Sequence, residues 1–173
     1  TMSTPGEVLA RQYTLIAGPG VEPHYNIAPT QAVPVVRQSP TTGERRLGLL
    51  RWGLIPAWAK DPAIGARAIN ARSETVGEKP AFRGAFRKRR CLVAADGFYE
   101  WSGAPGHKVP YYFALRTGGP LAFAGLWEAW RAPTGDVVET CTILTTEANE
   151  VVRPVHPRMP VILPPDAYAV WLD

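Results

Sequence analysis

Three polar residues in this sequence stand where a polar side chain needs a reason. Glu100 lies between Tyr99 and Trp101, at the end of an otherwise apolar run. A carboxyl group flanked by aromatic rings is poorly hydrated, which raises its pKa and fits it to carry a proton near neutral pH. The same spacing also suits an outward-facing residue of an alternating strand. His156 sits in Pro154-Val155-His156-Pro157-Arg158-Met159-Pro160, a turn stiffened by three prolines. Beside Arg158 its imidazole is well placed for a phosphate or a sugar, although a lone histidine is often a satisfied structural residue. Asn70, in Ile69-Asn70-Ala71-Arg72, has the chemistry to orient a carbonyl or stabilise an oxyanion. Its plainer role is a turn or a cap.

Arg83, Arg87, Lys88, Arg89 and Arg90 form a basic run beside Phe82 and Phe86. It is either a phosphate-contact patch or a solvated helix face. Cys91 and Cys141 both fall in apolar, strand-like runs and read as buried thiols of a cytoplasmic protein. With three isolated histidines and these two cysteines, no pair of metal ligands has a usable spacing, and no metal or cofactor is expected. Neither common glycine-rich phosphate loop occurs.

The elements that must position these groups are short. Among 173 residues, 16 are glycine and 18 proline, which disfavours long helices and coiled coils. With 46% hydrophobic residues and six Trp, six Tyr and five Phe, the chain can bury a core of its own and is not a disordered polymer. No apolar run reaches the ~20 residues of a membrane-spanning helix, so a soluble protein is expected. Lys+Arg exceed Asp+Glu by 19 to 15, only a weak pointer to an anionic partner, and the arginine excess fits a GC-rich gene.

A helix is expected from Ser3-Thr4-Pro5, with a hydroxyl cap, to about Tyr13, followed by a loop from Gly18 to Gln31. Strands are expected at Val33–Arg37, Arg45–Trp52, Cys91–Ala95 continued by Phe98–Trp101, Tyr111–Arg116, Leu121–Trp127, Val137–Thr145 and Val161–Leu163. Short helices fit Lys79–Arg87, one or two turns at Ala148–Val152, and the end of the chain after Pro164. The whole reads as one α+β domain over 1–173, a mostly antiparallel, twisted, barrel-like sheet with a few short helices.

Singly these signals are weak; their order is specific. Tyr25-Asn26-Ile27-Ala28-Pro29-Thr30 is followed by Arg51-Trp52-Gly53-Leu54-Ile55-Pro56-Ala57-Trp58 and by Ile69-Asn70-Ala71-Arg72-Ser73-Glu74-Thr75. Then come Asp96-Gly97-Phe98-Tyr99-Glu100-Trp101 and His156-Pro157-Arg158-Met159-Pro160-Val161. This series resembles the SOS response-associated peptidase (SRAP) family, the abasic-site processing proteins, over essentially the whole chain.

The resemblance implies a single-stranded DNA-binding protein that captures the aldehyde of an abasic site as a thiazolidine. In that family the nucleophile is an amino-terminal cysteine, exposed when the initiator methionine is removed autocatalytically. Thr1-Met2-Ser3 looks like the stretch just after such an opening, so the cysteine is expected upstream of Thr1, and a further segment is expected after Asp173. The resemblance assigns Asn70 to orienting the terminus and the sugar, Glu100 to acid–base steps, and His156 to a second proton transfer. It makes Arg72 and Arg158 the phosphate contacts, with Asn26, Pro29, Trp52, Trp58 and Phe98 as walls or stacking groups. The protein would be a monomer without metal or cofactor, cytoplasmic and, in a bacterium, associated with the nucleoid. Three other readings stay open: a hydrolase using Thr1 as nucleophile, a hydrolase pairing Cys91 or Cys141 with His156, and a DNA-binding module with no covalent step.

Overall fold

The computed structural model describes residues 1–17 and 20–173. Gly18, which opens the expected Gly18–Gln31 loop, and Pro19 lie outside the described residues. The elements are α1 (Gly6–Tyr13), β1 (Ala32–Gln38), β2 (Arg45–Trp52), a 3-10 turn (Pro62–Arg67), β3 (Asn70–Arg72), α2 (Arg83–Lys88), β4 (Arg90–Ala95) and β5 (Gly97–Ser102). After them come β6 (Val109–Ala114), β7 (Leu121–Arg131), β8 (Val137–Glu147), β9 (Arg158–Pro160), β10 (Ile162–Leu163), a 3-10 turn (Pro165–Ala167) and α3 (Tyr168–Leu172).

Five strands close into a ring. Their order is β7-β4-β1-β2-β8, and β8 pairs back onto β7 from Arg131↔Val137 to Gly125↔Ile143. Closure removes the free edges that a short open sheet would expose. The apolar runs of β4 and β7 follow from burial on both faces. Cys91, Val93, Ala95, Leu121 and Phe123 point into the ring with Val33, Val35, Leu50, Cys141 and Ile143. The alternate residues Leu92, Ala94 and Ala122 pack outward against Leu9 and Tyr13 of α1 and Tyr168 of α3. Each fully buried leucine there contributes about 1.5–3 kcal/mol.

The sheet is mixed rather than simply antiparallel. β2 and β3 both run parallel to β8, which the long chain between them and β8 permits. Here β8 is a spine with two edges. One edge carries β2 at Thr140–Cys141 and β3 at Ile143–Thr145; the other carries β7 and then β9 at Thr145–Glu147.

Between β4 and β5 the chain leaves the ring and enters a separate two-stranded sheet with β6. Gly97 makes that corner possible: a Cβ there would lie 2.4 Å from Phe113 O and 2.5 Å from the Tyr112 ring. At the end of β2, Gly53 has φ +132° and a Cβ would meet Gly65 O at 2.6 Å, so that site also excludes other residues.

Several expectations need correction. Pro5 caps α1 without a side-chain bond; the Ser3 and Thr4 hydroxyls instead donate to the Asp96 carboxylate at 2.7 and 2.5 Å. At Ala148–Val152 the expected helical turn is a capped turn rather than an α-helix: Asn149 Oδ1 accepts from Val151 N and Val152 N, and Arg153 N donates to Asn149 O at 2.9 Å. The strand β9 lies in the stretch read as a proline-stiffened turn, and β3 starts at Asn70, read as a turn or cap, since three residues are too few for a period to register.

Candidate functional site

Glu100 and His156 come together at the β5–β6 hairpin. Along β5 the even residues Phe98 and Glu100 face inward, while Tyr99 and Trp101 face solvent. Phe98 stacks on Phe113 with ring centroids 5.2 Å apart and meets Phe123 edge-on at 5.9 Å. That aromatic anchor fixes the face on which Glu100, two residues on, must project. His156 stands in the turn before β9, its backbone N donating to Val152 O at 3.0 Å. The Glu100 Oε1 to His156 Nδ1 distance is 3.7 Å.

Burial raises the Glu100 pKa above the ordinary carboxylate value, against smaller lowering influences from His156, the Trp101 backbone N–H and Lys108. On the histidine, Nδ1 is 2.9 Å from Arg158 O and 3.1 Å from Arg158 N. A neutral ring satisfies one or the other, accepting from the N–H or donating to the carbonyl. The protonated ring donates to the carbonyl and faces the Glu100 carboxylate. A carboxyl and an imidazole therefore sit together in one half-buried place.

Asn70 and Arg72 stand on β3, paired with β8. Both are exposed, whereas Ala71 between them is buried. Asn70 lies opposite Ile143 and Arg72 opposite Thr145; paired residues share a face, so both side chains lie on the same side of the sheet as Ile143, which points into the ring. Across β8, Thr145 is also opposite Pro160 of β9. Arg158 reaches over that end of β8, with Nη1 and Nη2 on the two Glu74 carboxylate oxygens at 2.7 and 2.9 Å. Nη2 also donates to Thr145 O at 2.7 Å. The Arg158 fork holds the Glu74 pKa down at about 2, with Arg72 adding to the effect. The same pairing raises that of Arg158. Sequence reasoning named Arg158 but not its partner, although Glu74 stands in the same motif as Arg72.

The remaining expected residues divide. Trp52 donates from Nε1 to Ile69 O at 2.8 Å, next to Asn70, and its backbone O accepts from Thr30 N at 2.8 Å. Trp52 thus ties the exposed loop bearing Asn26 and Pro29 to β3. Its indole is packed on the ring's interior cluster, as is Phe98, both partly buried. Trp58 is 63% exposed and lies between β2 and the first 3-10 turn. Among the described residues no hydrogen bond or ion pair joins it to Glu100 or His156. In the basic run, Arg89 pairs with Glu128 at 2.6 Å and Arg90 lies 5.9 Å over Trp171. That leaves Arg83, Arg87 and Lys88 as a solvated helix face. No group of three or more His, Cys, Asp or Glu able to hold a metal occurs among the described residues.

Geometry also weighs on the two hydrolase readings. Cys91 and Cys141 are fully buried, and desolvation pushes the Cys141 thiol up to about 12 and the Cys91 thiol well above its usual value. Neither is a thiolate near His156. Thr1 Oγ1 lies 2.8 Å from Tyr112 Oη, and Tyr112 is opposite Tyr99 in the hairpin, on the face turned away from Glu100. On that outer face a cavity of about 420 Å³ is lined by Thr1, Tyr25, Asp96, Tyr99 and Tyr112, among others. The backbone of Thr1 is pinned at the Gly97 corner: its N donates to Gly97 O at 3.2 Å and its O accepts from Asp96 N at 2.9 Å. Thr1 is therefore held beside the start of β5.

Comparisons with known proteins bear on the family and the fold. The model of the SOS response associated peptidase (SRAP) family matches residues 1–173. The abasic site processing protein YoqW of Bacillus subtilis is 47% identical over 152 residues, 87% of this chain and 67% of its own length. The abasic site processing protein HMCES of Gallus gallus is 38% identical over 181 residues, covering 87% of this chain. The chain spans about half, 54%, of that vertebrate protein. A crystal structure of a protein from Bacteroides thetaiotaomicron superposes with a TM-score of 0.89 at 28% identity, over 100% of this chain and 79% of the other. One from Bordetella bronchiseptica gives 0.83 at 32% identity, over 96% and 83%. With its order of motifs, its closed five-stranded ring and its family match all in agreement, the chain belongs to the SOS response associated peptidase (SRAP) family.

Proposed function

We propose that this protein processes abasic sites in single-stranded DNA, capturing the lesion covalently through an amino-terminal cysteine encoded upstream of Thr1. The carrying observation is the Glu100–His156 pair, 3.7 Å apart, with Glu100 on β5, the strand whose Gly97 O accepts from Thr1 N. The relatives' names, abasic site processing proteins, support the substrate.

The chemistry follows from the groups present. An abasic deoxyribose is mostly a closed hemiacetal. Ring opening requires proton delivery to the ring oxygen and removal from the hydroxyl on the anomeric carbon, a task for an acid and a base within reach. The cysteine α-amine then adds to the aldehyde carbon, and loss of one water gives an imine. Addition of the thiol to the imine carbon closes a thiazolidine with no further leaving group. Glu100, with its raised pKa, is the acid for ring opening and water loss. His156 takes up and returns the complementary proton, and Asn70 orients the amine and the sugar from β3. Hydrolysis of the initiator methionine's peptide bond uses the same acid–base pair and consumes one water. Arg72 and Arg158 hold phosphates on either side of β8. The exposed Asn26–Pro29 loop lies along the strand. The protein acts as a cytoplasmic monomer, associated with the nucleoid if the host is a bacterium.

The pH dependence tests the pair. The acid form of Glu100 is lost as pH rises through its raised pKa, so the rate of crosslink reversal falls with pH above that point. His156 lowers the Glu100 pKa, so His156→Asn moves this fall to higher pH while lowering the maximum rate. A profile unmoved by His156→Asn contradicts the coupling.

A further inference from the structure

We propose that Glu74 is an internal competitor for the DNA phosphate at Arg158, setting how tightly the protein holds undamaged strands. The inference rests on the reading above that Arg158 contacts phosphate, and it follows from counting donors. A guanidinium has five N–H groups and takes a phosphate best through two parallel bonds. Both terminal nitrogens of Arg158 are on Glu74, at 2.7 and 2.9 Å. A second donor of Nη2 goes to Thr145 O at 2.7 Å, and Nε is buried without a partner. One N–H of Nη1 is left. A phosphate therefore cannot dock on Arg158 through two bonds while Glu74 stays in place.

Glu74 suits displacement. It follows β3 in a turn, its side chain is 46% exposed against 21% for Arg158, and Arg158 is its only side-chain ion-pair partner among the described residues. An exposed pair of this kind is worth little, while the guanidinium it occupies is costly to leave unpaired. Exchange of carboxylate for phosphate keeps the fork filled throughout. It also leaves the carboxylate beside Arg72, whose charge acts on Glu74 already. With Glu74 in place the three residues present a net charge of one toward DNA; without it, two. A weak grip on ordinary single strands lets the protein leave them, whereas at a lesion the covalent bond holds the complex independently of Arg158.

The experiment is equilibrium binding of the full-length protein to an undamaged single-stranded oligonucleotide across a salt series. Glu74→Gln is expected to bind on the order of fivefold tighter at low salt. Its slope of log K against log salt should steepen by about 0.7, the increment for one further phosphate contact on a single strand. Glu78→Gln, which removes another exposed carboxylate nearby in sequence, should change both much less. In an Arg158→Ala background, Glu74→Gln should lose its effect. If Arg158→Ala alone leaves binding unchanged, the phosphate-contact reading fails and this inference with it. If Arg158→Ala weakens binding but Glu74→Gln weakens it too, or leaves the slope unmoved while lowering the thermal midpoint, Glu74 is a brace for Arg158 and the competitor role is overturned.

Discussion

Glu100→Gln is expected to slow both methionine removal and crosslink reversal by roughly a hundred- to ten-thousand-fold, the range associated with a positioned general acid–base group. The amide matches the carboxyl in size and cannot deliver or accept the proton, so the hairpin should fold as before. Glu100 is half-buried beside the Phe98–Phe113 stack and 3.7 Å from His156; nothing else around it among the described residues has a raised carboxyl pKa. Rates near wild type in both reactions, measured by mass spectrometry of the amino-terminal peptide and by release of crosslinked DNA, would remove Glu100 from the mechanism. The variant's residual rate should lack the wild-type fall with rising pH, because the titrating group is gone.

A second large effect is expected at Phe98, and it is an effect on stability. Phe98 touches two clusters at once, the ring interior with Phe123 and the group of Ala148, Val152 and Met159 under the turn that bears His156. Phe98→Ala should cost about 3 kcal/mol or more in unfolding free energy, through lost transfer energy and the cavity left behind. Phe98→Leu should cost much less and keep DNA binding. Chemical denaturation with binding measured on the folded fraction separates the two roles. If Phe98→Ala instead leaves stability intact and abolishes DNA binding, Phe98 is a base-stacking surface and the packing account is wrong.

Those two residues also mark what the sequence made legible. The alternation Phe98-Tyr99-Glu100-Trp101 and the apolar runs at 91–95 and 121–127 were enough to find strands, because period-2 burial leaves a mark in composition. The approach of Glu100 to His156 was not legible from pattern. It depends on a corner at Gly97 and on β9, three residues long, joining β8 by backbone bonds that leave no composition signal. Arg158 illustrates a different gap. Its type and motif pointed to phosphate, yet its fork is closed by Glu74 from across β8, a pairing of residues 84 positions apart. Asn70 and Arg72 fared better, since spacing by two on a strand fixes a common face wherever that strand lies. Ser3 and Thr4 misled, because a local helix cap and a distant Asp96 compete for the same hydroxyls, and the aspartate prevails.

The central claim is covalent capture, and a denaturing gel tests it most directly. Full-length protein is incubated with single-stranded DNA carrying one abasic site, boiled in detergent, and the adduct digested for mass spectrometry. The account predicts a heat-stable adduct on an amino-terminal cysteine upstream of Thr1, absent with undamaged DNA and lost when that cysteine becomes alanine. An absence of adduct from protein that still binds the DNA, or an adduct mapped to a lysine, would contradict it.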